Sequence, residues 1–177
     1  MRTCLVGSEM CIRDSSTTNK GGNTLFANMY KAYDDLEESM KQKIKNLTVV
    51  HDHDFIISLS EELSKRKNKG NYDKIDPVIH PLVRKHPFTK KPSLFLSPHT
   101  MVKIVDYDDN EGRELLDFLI EHSIQSKYVY KHIWSDNDIV MWDNRCTMHS
   151  VEPFDNNTIK RIMHRVTLVG DQKPIMS

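Results

Sequence analysis

Apolar and polar positions follow two different periods along this chain. Over residues 28–47 the apolar side chains Tyr33, Leu36, Met40, Ile44 and Leu47 recur at three- and four-residue spacing, with Asp, Glu and Lys between them. That spacing gathers them on one stripe and predicts an amphipathic helix. The same period returns over 109–123, where Leu115, Leu116, Leu119 and Ile120 are apolar and Asp108, Asp109 or Asn110 can cap the first turn. Elsewhere short runs read as strands: 47–50, 78–84, 92–97, 128–134, 138–142 and 161–169. Turn residues separate them, at Pro87-Phe88-Thr89-Lys90-Lys91, Ser135-Asp136-Asn137 and Asp155-Asn156-Asn157. The first of these turns predicts that 78–84 and 92–97 pair. Residues 52–76 are polar and lysine-rich, the composition of a solvated loop. The whole reads as mainly β with helices inserted on one side, without repeats or low-complexity tracts.

The last predicted strand carries unusual chemistry. Side chains alternate along a strand, so Arg161, Met163, Arg165 and Thr167 share one face, and Ile162, His164, Val166 and Leu168 the other. Two guanidiniums on an interior face require an anionic partner, because unpaired buried charge is costly. A bound carboxylate would serve, and so would a carboxylate of the protein. Upstream, Trp142-Asp143-Asn144-Arg145-Cys146-Thr147-Met148-His149 places an imidazole where it could hold a metal beside that anion. Asp143, Asn144 and Arg145 have the hydrogen-bonding groups to hold the turn before His149.

Two further segments complete a pattern. Gly21-Gly22-Asn23-Thr24-Leu25-Phe26-Ala27-Asn28-Met29 is followed by His80-Pro81-Leu82-Val83-Arg84-Lys85-His86-Pro87, then by the two segments above, in order between Gly21 and Lys173. This combination resembles the taurine / 2,4-dichlorophenoxyacetate dioxygenase (TauD/TfdA) family of Fe(II)- and 2-oxoglutarate-dependent oxygenases. The resemblance implies part of a double-stranded β-helix (jelly-roll, cupin-like) core. It implies a dioxygenase that hydroxylates a small organic acid, sulfonate or carboxylate, while 2-oxoglutarate is oxidatively decarboxylated to succinate. Dioxygen and a small anionic substrate are then the reaction partners.

Carried over residue by residue, the resemblance makes His149 a metal ligand in a site of two histidines and one carboxylate. It gives Arg161 and Thr24 the far carboxylate of 2-oxoglutarate, a task suited to a guanidinium that donates two parallel bonds. Arg165 falls to the acidic group of the substrate, and Trp142 to the neighbourhood of the metal, unless it is a core tryptophan. Residues 52–76 correspond to an insertion over the active site. The other two ligands belong to an H-x-D motif before the Gly21-Gly22 segment, and none occurs between Ser16 and Gly21. His51-Asp52-His53-Asp54 contains no H-x-D and follows that segment, so it reads as a polar loop. The remaining histidines (His80, His86, His99, His122, His132 and His164) read as structural or surface residues.

Residues 1–15 stand apart. From Cys4 to Ser15 they translate a transposase sequencing adapter, and Glu9, Arg13 and Asp14 interrupt any apolar signal-peptide core. Native sequence is therefore expected from Ser16, with residues 16–177 the C-terminal part of a larger dioxygenase domain. Without Cys4 and Cys11 the sole cysteine is Cys146, which favours a reducing, cytoplasmic setting. Lys and Arg number 25, as do Asp and Glu, and 1–15 carry two of each sign, so the balance is zero either way. No nucleic-acid or membrane partner is expected on that ground, nor from any apolar run of spanning length. A homo-oligomer stays open. Two other readings remain: a catalytically inactive fragment or jelly-roll binding module lacking two of three metal ligands, and a helical phosphohydrolase built on His51-Asp52.

Overall fold

The chain is seen in a computed structural model that describes residues 9–16, 21–58, 75–155, 162–168 and 174–177. It opens with β1 (Glu9–Ser16) and β2 (Thr24–Asn28). Between them Gly21 and Gly22 both hold positive φ, +81° and +72°. A Cβ on Gly21 would stand 2.9 Å from the Pro153 carbonyl oxygen, so neither conformation nor space admits a side chain there. The close approach continues at Asn23, whose carbonyl accepts from Glu152 N at 2.8 Å and whose amide donates to the Glu152 carboxylate.

Where one helix is predicted over 28–47, two form: α1 (Met29–Asp34) and α2 (Glu38–Ile44). Asn28 ends β2 and caps α1, its side chain accepting from the backbone of Tyr30 and Lys31. Asp34 and Asp35 then place two acids at the negative end of the helix dipole, which disfavours continuation. Asp35 is drawn outward to Lys127 Nζ and the Tyr128 hydroxyl. The break lets Leu36 turn into the core between the helices while Ala32 and Ile44 stay fully buried. The stripe survives although the rod does not.

β3 (Thr48–His51) and the short α3 (Asp54–Ser58) follow, the latter at the start of the predicted loop, whose residues 59–74 lie outside the described set. The strand predicted over 78–84 divides into β4 (Val78–Pro81) and β5 (Val83–Lys85), because Pro81 has no N–H with which to continue the ladder. β4 pairs with β3, whereas β5 pairs with β6 (Pro92–Leu94) across the predicted turn. β7 (Met101–Ile104), unmarked by alternation in the sequence, completes a sheet in the order β4-β3-β7. α4 (Asp109–Ser123) matches its prediction, with Asp108 accepting from the backbone of Asn110 and Glu111. Its Leu115, Leu116 and Leu119 close the core with Val49, Leu82, Val83, Leu94, Met101 and Ile104.

The remaining strands are β8 (Val129–His132), β9 (Ile139–Asp143), β10 (Thr147–Val151), β11 (Ile162–Thr167) and β12 (Ile175–Met176). They alternate between two antiparallel sheets, β10-β2-β8 and β11-β1-β9, while β12 joins β5. Strands that pass back and forth between two sheets are the double-stranded β-helix arrangement, so the expected jelly-roll architecture is present. On β9 Ile139 and Met141 are exposed and Trp142 is buried, as alternation requires of a strand with one face on its partner sheet. No helix among the described residues is long and apolar enough to cross a membrane.

Candidate functional site

Three rings from three strands meet where the two sheets face each other. β2 turns Thr24 and Phe26 inward, and β10 runs antiparallel beside it with His149 opposite Phe26 and Val151 opposite Thr24. Trp142 reaches this point from β9 in the other sheet. Its ring centroid lies 4.9 Å from that of Phe26 and 4.9 Å from that of His149, while Phe26 and His149 stand 6.3 Å apart. His149 is exposed as a residue, yet its ring packs against those of Phe26 and Trp142.

That environment sets its charge. Burial against the rings, then the positive charge of Arg165, lower the His149 pKa below the usual 6.5. A neutral imidazole keeps a nitrogen lone pair, which is the form that binds a metal. Arg165 lies on β11, opposite Ile12 of β1, and is exposed. Histidine and arginine thus communicate between the sheets. Arg161 lies outside the described residues.

Thr24 is 1% exposed, and its hydroxyl oxygen accepts from the Trp134 indole at 3.0 Å. With one lone pair taken, the hydroxyl proton remains to donate to a further acceptor such as a carboxylate. Trp134 was not marked by any motif. Its role comes from a fold that sets Trp134 beside a residue far back in the chain.

The turn between β9 and β10 is held as its composition suggests, and by more partners than the sequence indicated. Arg145 Nε donates to both carboxylate oxygens of Asp143, Nη2 adds a 2.7 Å bond, and the Arg145 backbone N–H donates to Oδ1. Asn144 accepts from the Trp142 indole at 2.7 Å. His86 joins from β5's far end: its Nδ1 accepts from the backbone of Phe88 and Thr89, so Nε2 carries the proton and donates to Asp143 at 2.9 Å. Burial would raise the Asp143 pKa, but the donors Arg145 and His86 outweigh it and pull it down to about 2.

Ligand atoms of His86, Asp143 and Cys146 lie within 4.8 Å of one another, the sole such group of three among the described residues. They do not suit a cation. The Asp143 oxygens are taken, His86 Nε2 is a donor, and burial, then Asp143, push the Cys146 thiol pKa up. The group is a structural knot. Nor is His51-Asp52 a metal dyad in a helical surround: His51 ends a β-strand, is fully buried, and bonds Thr100 Oγ1 through Nδ1. His122 and His132 bond the Ala32 carbonyl and Asp138, respectively, as structural residues do.

The family model described as Taurine catabolism dioxygenase TauD, TfdA family matches residues 10–167. The alpha-ketoglutarate-dependent 2,4-dichlorophenoxyacetate dioxygenase of Burkholderia sp. (strain RASC) is 37% identical over 153 residues, 85% of this chain and 49% of that protein. The alpha-ketoglutarate-dependent sulfonate dioxygenase of Saccharomyces cerevisiae is 34% identical over 152 residues, 83% of this chain and 35% of that protein. Among solved structures, AAD-2 in complex with Mn(II) and N-oxalylglycine superposes with a TM-score of 0.80 at 35% identity, over 96% of this chain and 66% of that one. The chain spans half or less of the length of these two curated relatives.

Proposed function

Because the chain belongs to the TauD/TfdA family, we propose that it forms the C-terminal part of an Fe(II)- and 2-oxoglutarate-dependent dioxygenase that hydroxylates a small organic acid. The observation that carries this reading is the neutral, ring-walled His149 beside Arg165, one strand from the buried hydroxyl of Thr24. His149 is the metal ligand in this proposal. Thr24, kept in place by Trp134, and Arg161 hold the far carboxylate of 2-oxoglutarate, and Arg165 receives the acidic group of the substrate. Iron with 2-oxoglutarate, when bound, supplies an oxidative decarboxylation that yields succinate and oxygenates the substrate. The chain's residues orient both acids and shield the site with Phe26 and Trp142.

Relatives named for a phenoxyacetate and for sulfonates point to a carboxylate or sulfonate substrate. The setting in this reading is the cytoplasm, residues 1–15 are adapter-encoded, and the H-x-D ligands stand in native sequence before Ser16. The genomic sequence upstream of Ser16 tests that part directly. The activity is tested with the complete gene product, by iron-dependent succinate release in the presence of phenoxyacetates and alkylsulfonates. Failure with both substrate classes and no uncoupled succinate would overturn the assignment.

A second reading has its own support: among the described residues no group of three candidate ligands includes His149. By itself the chain would then be a jelly-roll binding module. Anaerobic titration of the complete gene product with Fe(II) and 2-oxoglutarate separates the two, since the dioxygenase gives a visible charge-transfer band and a binding module gives none.

A further inference from the structure

Arg84 is 3% exposed on β5, in a different sheet from His149, yet its guanidinium ends in the turn that leads into β10. Nε donates to the Arg145 carbonyl at 2.6 Å and Nη2 to the Asn144 carbonyl at 3.0 Å. The Ser93 hydroxyl adds a longer bond of 3.4 Å to the Arg145 carbonyl. The next carbonyl, that of Cys146, accepts from Met29 N at 3.0 Å. Three successive carbonyls of the turn are therefore held by groups outside it, and His86 holds the Asp143 side chain from the same side.

A buried guanidinium usually meets a carboxylate in a bidentate pair. This one spends its fork on backbone, and its plane packs over the Phe95 ring at 4.2 Å. Burial lowers its pKa to about 10, so it stays charged at neutral pH. Desolvating the guanidinium is costly, and the two carbonyl bonds with the ring face offset that cost only while the turn holds its carbonyls in place. What they position is a pair of rings: Asn144 anchors the Trp142 indole, and Thr147, the first residue of β10, starts the strand that presents His149.

We propose that Arg84 is a positioning residue: by fixing the Asn144 and Arg145 carbonyls it sets the placement of Trp142 against His149, and hence the direction in which His149 offers its imidazole. The purpose of that placement rests on His149 being a metal ligand, but the geometry does not, and it can be read without metal.

The test uses nuclear magnetic resonance on the whole chain at constant pH, with Arg84→Lys, which keeps the charge and loses the fork, and Arg84→Met. Leu119→Ala, a core truncation on α4, serves as the control for general destabilisation. The Trp142 indole proton should exchange about tenfold faster or more in Arg84→Lys, and the His149 ring signals should shift or broaden, while Leu119→Ala leaves both where they are. Unchanged Trp142 and His149 signals in a folded Arg84 variant, or equal changes in the Leu119 control, overturn the proposal. If neither Arg84 variant folds, the unaltered chain decides. The Arg84 Nε proton, which donates to the Arg145 carbonyl, should then exchange far more slowly than that of a solvated guanidinium, and exchange at the solvated rate overturns it. Loss of the dioxygenase reading alone would leave these outcomes unaffected.

Discussion

The indole of Trp142 lies against the imidazole of His149 with ring centroids 4.9 Å apart, although the two residues occupy strands of different sheets. This contact does two things at once. It ties the sheets together at the site, and it removes water from one side of the histidine, so that burial is the larger cause of its lowered pKa and Arg165 the second.

Arg165→Ala should therefore raise the His149 pKa toward 6.5, since the removed cation disfavours the imidazolium. Arg165 is exposed, so stability should change by no more than about 0.5 kcal/mol. A ring-resolved magnetic resonance titration measures the shift, and an unmoved midpoint would show that the two groups do not interact.

Acid sensitivity should come from His51. It is 1% exposed, and burial, then His80, lower its pKa from 6.5 to about 4. The unfolded chain takes up that proton near pH 6.5 and the folded chain does not, so the contribution is whole above 6.5, falls with pH, and is exhausted below about 4. The loss is roughly 3 kcal/mol, to which His80, shifted in the same direction, adds. Urea denaturation at about three pH values between roughly 7.5 and 4 measures it; a flat profile would contradict the burial of His51.

Asp143→Ala should cost roughly 2–4 kcal/mol at neutral pH, because it strips partners from Arg145 and His86. The native carboxylate, with its pKa lowered from 3.8 to about 2, contributes fully above 3.8 and loses its contribution as pH falls through 2. The variant and the parent should thus converge in strong acid. Denaturation midpoints at the two extremes check this.

Thr24→Val keeps the volume but removes the hydroxyl that accepts from the Trp134 indole, at a cost of about 1 kcal/mol. In the complete enzyme it should also raise the KM for 2-oxoglutarate. Arg161→Ala should raise the same KM by orders of magnitude, since removing one charged partner of a desolvated pair costs roughly 2–5 kcal/mol. His149→Ala should abolish iron-dependent succinate release. Cosubstrate affinity that is indifferent to both Thr24 and Arg161 would remove them from the site.

Much of the fold could be read from local pattern. α4 and its cap follow from leucine spacing and Asp108, and the β5–β6 pair follows from the turn at 87–91. The single helix over 28–47 could not be resolved into two by its apolar stripe, because the break at Asp35 keeps Leu36 on the buried side. β7 and β10 gave no signal: β7 is a four-residue run, and β10 mixes polar His149 and Ser150 among its inward and outward positions.

The order of motifs along the chain determined the family and the jelly-roll class, because a motif is a local requirement for a residue type. Which groups meet was decided only in three dimensions. Trp134 reaches Thr24, His86 reaches Asp143, and Arg84 reaches the carbonyls of Asn144 and Arg145 across separations of dozens of residues. Contacts of that range depend on sheet order and register, where a shift of one residue reverses every side chain, and neither is written in any single segment.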